Sequence, residues 1–104
     1  NKYSSLEIGL AVKHFGRDWN TSPIVSEVRD KLREHEPSRS SRTVMDLLDE
    51  VDGRAEKLLQ GGSEDDVLGF ASWYDQALST IKRCLANLQL ESKQWPELQV
   101  SQSS

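Results

Sequence analysis

One cysteine, two histidines and no long apolar run set the first limits on this chain of 104 residues. Cys84 alone excludes an intrachain disulfide and any metal centre built from cysteine pairs. A lone cysteine fits a reducing compartment, so an intracellular protein, cytoplasmic or nuclear, is expected. His14 and His35 leave no partner set for a nucleophile. Neither has glutamate three residues before it, since Ala11 precedes His14 and Leu32 precedes His35, so the paired Glu-x-x-His of di-metal bundles is missing. Glycine-rich phosphate loops and calcium loops are absent as well. No apolar stretch reaches the length of a membrane span, and the first residues lack the basic-then-apolar pattern of a signal peptide. No internal repeat supports a solenoid. No catalytic residue, cofactor or metal is therefore assigned, and a small enzyme with an unrecognised site stands only as a second alternative.

What the chain does have is charge and helical periodicity. Hydrophobic residues make up 36% and charged residues 29%, a balance that supports one folded core. The net charge of −4 is uneven. Residues 1–45 carry eight Lys/Arg against six Asp/Glu, and residues 46–104 carry five against eleven. A net acidic chain is a poor ligand for a phosphate backbone, so nucleic acid is not the expected partner.

The longest periodic segment runs from Ser63 to about Glu91. Val67, Phe70, Ala71, Tyr74, Ala77, Leu78, Ile81, Leu85 and Leu88 recur at steps of three and four, the spacing of one helix face. Ser63 and Asp66 have the spacing of a reciprocal cap. Upstream, Ser4 is expected to cap a first helix, with Glu7 completing the box and Tyr3 stapling onto Ile8. Gly16 is expected to stop it, and Gly16–Asn20 to form a turn. Thr21-Ser22-Pro23 opens a second helix that ends before Glu36-Pro37, with Ile24, Val28, Leu32 and His35 on its inner face. Pro37–Thr43 is a basic, serine-rich loop before a third helix reaching Gln60. Val44, Leu47, Leu48, Val51, Ala55, Leu58 and Leu59 form the stripe of that helix, and Gly61-Gly62 end it. The expected fold is all-α, an irregular four-helix bundle with a long C-terminal helix packed against three shorter ones. Residues 1–92 make a single helical domain and 93–104 a C-terminal tail.

Functionally, the sequence points to a non-catalytic protein-interaction domain of an adaptor or regulatory kind. Because the chain opens on Asn1, it is expected to belong to a larger protein. The partner expected is a helix or peptide of another protein. Leu6 and Leu10 lie opposite the Ile8/Phe15 face, Trp73 widens one edge of the last helix, and Trp95 sits in a short Trp-Pro-Glu-Leu peptide; these four are the candidate contact residues. Ser40 and Ser41, flanked by Arg39 and Arg42 before a helix, are candidate phosphosites. One stretch, Val12-Lys13-His14-Phe15-Gly16-Arg17-Asp18-Trp19, resembles the first-helix exit of SANT and Myb-like domains, and Arg42-Thr43 resembles the start of their third helix. This resemblance implies chromatin or histone-tail binding, and it is the alternative reading. The chain departs from that pattern in having no aromatic residue in its third helix.

Overall fold

A computed structural model describes residues 5–90 and 94–98, with side chains from residue 7 onward. Four helices account for the architecture: α1 (Ser5–Thr21), α2 (Pro23–Glu34), α3 (Arg39–Leu59) and α4 (Glu64–Asn87). Among the described residues there is no strand, and no helix is long and apolar enough to cross a membrane. The all-α four-helix bundle holds. Its centre is α3, which packs on α1, α2 and α4 alike. The last helix, α4, is the longest at 24 residues, with α3 next at 21.

Helix starts follow the local chemistry. Ser38 caps α3, its Oγ accepting from the Ser41 N–H at 3.2 Å while Ser41 Oγ accepts from the Ser38 N–H at 2.8 Å. Ser63 and Asp66 repeat the arrangement at α4, and each such cap contributes about 1 kcal/mol. Pro23 occupies the start of α2. The cap expected at Ser4 and the Tyr3 staple lie outside the described residues.

The first helix does not stop at Gly16. It continues to Thr21, so the segment expected to be a turn is helical and carries Trp19, 1% exposed, into the core. Gly16 lies instead where α1 comes close to α3. A Cβ there would lie 3.1 Å from Leu59 Cδ1 and 3.5 Å from Ala55 Cβ, so its absence lets α1 settle onto α3. Three smaller corrections follow from packing. His35 is exposed and forms the C-cap of α2 rather than part of its inner face, where Val25 is buried instead. Leu59, beyond the last buried turn of α3, is 38% exposed. The last helix ends at Asn87, short of Glu91. Gln89 takes φ 59°, the Leu90 N–H reaches Leu85 O at 2.9 Å and the Gln89 N–H reaches Ala86 O at 3.0 Å, closing a Schellman-type end without glycine.

The core runs from the fully buried Val44, Leu48, Val51 and Ile81 to an aromatic cluster of Phe15, Trp19, Phe70 and Tyr74. Residues 94–98 fold back onto that cluster. Trp95, 4% exposed, stacks on Trp19 with centroids 6.2 Å apart, and Tyr74 Oη donates a hydrogen bond to the Pro96 carbonyl. The segment is thus a strap that completes the core.

Candidate functional site

On the surface of the two long helices, an open groove runs between α3 and α4. Its midpoint is Trp73, which the i, i+3 spacing from Phe70 places at the edge of the buried stripe of α4, half in and half out. One side of the indole packs against the core, its centroid 6.1 Å from that of Phe70. The guanidinium of Arg54, from α3, lies over the ring at 4.3 Å from its centroid. Arg54 is itself held by Glu50 one turn earlier, through Nε at 2.8 Å and Nη2 at 2.7 Å. This cation–π contact staples α4 to α3 and fixes the plane of the ring, at about 0.5–1 kcal/mol for a solvent-exposed pair.

Two hollows flank this staple. The larger, about 1040 Å³ and lined by Arg54, Lys57, Gly61, Asp65 and Gly69 among others, opens over the α3–α4 turn. Gly61 permits that turn with φ 126°, a conformation costly for any residue with a side chain. The smaller hollow, about 380 Å³, lies toward the other end of the helices. Trp73, Leu47 and Ala77 make its apolar walls, and Thr43, Asp46, Gln76 and Thr80 rim it.

The expected contact residues do not form one surface. Leu10 is 47% exposed on α1; the side chain of Leu6 lies outside the described residues. Trp95 is buried in the strap, so in this conformation it serves the core and is closed to a partner. Ser41 is 4% exposed, and its hydroxyl is used up by Ser38: it accepts from the backbone N–H and donates to the carbonyl at 3.0 Å. Ser40 is the accessible member of the pair. Leu68, 46% exposed on α4, lies off the periodic stripe. Among the described residues no three His, Cys, Asp or Glu side chains come together to hold a metal ion.

A second group of polar side chains ties α2 to α3 at the surface. Arg29, on α2, forks to Asp49 Oδ1 and Asp52 Oδ2 on α3, both at 2.7 Å. Burial pushes the Asp52 carboxyl above the usual carboxylate value, opposed by the Arg29 guanidinium and by the Trp19 indole N–H. Burial also raises the Tyr74 phenol, helped by the nearby charges of Glu97 and Asp75, so it stays a hydrogen-bond donor to Pro96.

Comparison with protein-family models, with characterised proteins and with solved structures finds no match to this chain.

Proposed function

We propose that this chain is a non-catalytic protein-interaction domain, and that the α3/α4 groove centred on Trp73 is where a helix or peptide of another protein binds. The observation that carries the reading is the half-buried indole of Trp73, clamped by Arg54 between two open hollows. An ordered aromatic in a concave surface offers a large contact area at little cost in conformational entropy, the property that makes tryptophan frequent among binding hot spots. The surface left by Leu10 is smaller support, because a single exposed leucine is common on folded proteins. An intracellular setting accords with the single free cysteine. The chromatin reading has less support. The Phe15–Trp19 segment on which the resemblance rests is helix interior rather than a helix exit, and Asp46, Asp49, Glu50 and Glu56 on the exposed side of α3 repel phosphate, which counts against DNA but not against a basic histone tail.

The test is affinity capture followed by mass spectrometry, run in parallel with the native chain, Gln76→Arg and Leu10→Asp. Gln76 is exposed on the rim of the groove, so its replacement blocks the surface without touching the core. A partner retained by Leu10→Asp and lost by Gln76→Arg places binding in the groove. The opposite pattern moves it to α1 and refutes the groove assignment.

A further inference from the structure

The smaller hollow beside Trp73 differs from the rest of the groove in its charge. Asp46 is exposed at its rim, has no ion-pair partner among the described residues, and no cation lines the hollow with it. In the larger hollow, by contrast, Arg54 is neutralised by Glu50, and Lys57 lies among the same lining residues as Asp65. The small hollow therefore combines an unpaired carboxylate, the oxygen acceptors of Thr43, Gln76 and Thr80, and apolar walls from Trp73, Leu47 and Ala77. A long aliphatic stem ending in a cation satisfies all of these at once: the stem covers the apolar walls and the charged head meets the carboxylate. An acidic side chain would meet Asp46 with like charge.

We infer that this hollow receives a lysine or arginine side chain from a basic segment lying along the α3/α4 groove. The inference rests on the groove reading above and adds the chemistry of the partner. Arg54 then has a supporting part: stacked on Trp73 and tied to Glu50, it holds the indole as a wall of the hollow.

The test uses the full chain and two synthetic amphipathic peptides of about 15 residues, long enough for a helix once docked. They share one apolar face and differ in carrying Lys or Glu on the polar face. Trp19 and Trp95 are 1% and 4% exposed, so the acrylamide-quenchable emission belongs to Trp73. The Lys peptide is expected to shield Trp73. Asp46→Asn should weaken it about tenfold, as loss of a close charge partner does, with unchanged thermal unfolding because Asp46 is exposed. Asp46→Lys should transfer the preference to the Glu peptide. Equal shielding by both peptides, or an Asp46→Asn chain that binds as tightly as the native one, overturns the basic-side-chain assignment while leaving the groove in use. If neither peptide shields Trp73, the assignment is likewise overturned, and the capture comparison decides the groove on its own.

Discussion

Asp52 is a costly residue for the bundle, because its carboxyl is partly removed from water and only half answered. Oδ2 meets Arg29, and the Trp19 indole N–H favours the charge, but neither the buried Oδ1 nor Trp19 Nε1 closes a hydrogen bond of ordinary geometry among the described residues. The raised pKa of Asp52 means that burial outweighs the favourable contacts, so the ionised form is less comfortable folded than unfolded. The sign follows by linkage. At neutral pH the charge costs stability, and the cost is withdrawn as pH falls through the folded pKa toward the ordinary carboxylate value of 3.8. Asp52→Asn keeps the shape and removes the charge, so it should change stability by less than about 1 kcal/mol at pH 7 in urea unfolding. Arg29→Ala leaves the carboxylates uncompensated and should cost about 1–2 kcal/mol, a figure reduced because Asp52 is one-third exposed and water screens it. Carboxyl titration by NMR should place the Asp52 midpoint above 3.8; a midpoint below it would refute this account. Tyr74 behaves with the same sign at the alkaline end. Its folded pKa is raised above 10.0, so the stability it contributes is complete below that value and is lost as pH rises beyond it. In Tyr74→Phe that alkaline loss should flatten, at a cost of about 1 kcal/mol for the Pro96 hydrogen bond, seen by comparing melts at neutral and high pH.

At the scale of the helix, the ends decide which signals are local. The Ser38–Ser41 box is complete within four residues, and Ser41→Ala should lower stability by about 1 kcal/mol, with the loss appearing as faster amide exchange in the first turn of α3. The end of α4 has the opposite character. Gln89 holds a left-handed conformation that glycine adopts without strain, so Gln89→Gly should raise stability by about 0.5–1 kcal/mol in thermal unfolding; a loss would show that the side chain does other work. These cases explain what was legible in the sequence. The starts of α2 and α4, and the buried stripe of α4, follow from proline, serine and aspartate at fixed spacing together with a 3.6-residue period. The end of α1 was not legible, because Gly16 reads as a stop signal on its own and becomes a packing residue only when Leu59 and Ala55 arrive from α3. The end of α4 was hidden by glutamine in a place usually taken by glycine. Of the candidate site, Trp73 was visible as the edge of a stripe. The pairing of Asp46 with that ring was not, since it depends on how α3 and α4 are set against each other.

For the molecule as a whole, the uneven charge of the two halves becomes a question of which helix is held least. Most ion pairs are local: Lys31–Glu27, Arg33–Asp30 and Arg54–Glu50 each lie within one helix. Among the described residues only the Arg29 fork to Asp49 and Asp52 joins the basic half to the acidic half. That fork adds to the packing of Val25, Val28, Leu32 and the half-buried Ile24, since the substantial packing of α2 is against α3 alone. By contrast α1, α3 and α4 pack on one another in every pairing and share the aromatic cluster that Trp95 closes. A helix fixed on one side opens at a lower free energy than those fixed on two. Native-state hydrogen exchange should therefore show α2 amides exchanging by a sub-global opening, while the slowest amides, near Leu48, Val51 and Ile81, exchange only with global unfolding. Arg29→Ala should lower the protection of α2 further relative to those slowest amides. Equal protection in α2 and in the centre of α3, in both the native and the variant chain, would mean that the four helices open as one unit and that the fork does not govern the attachment of α2.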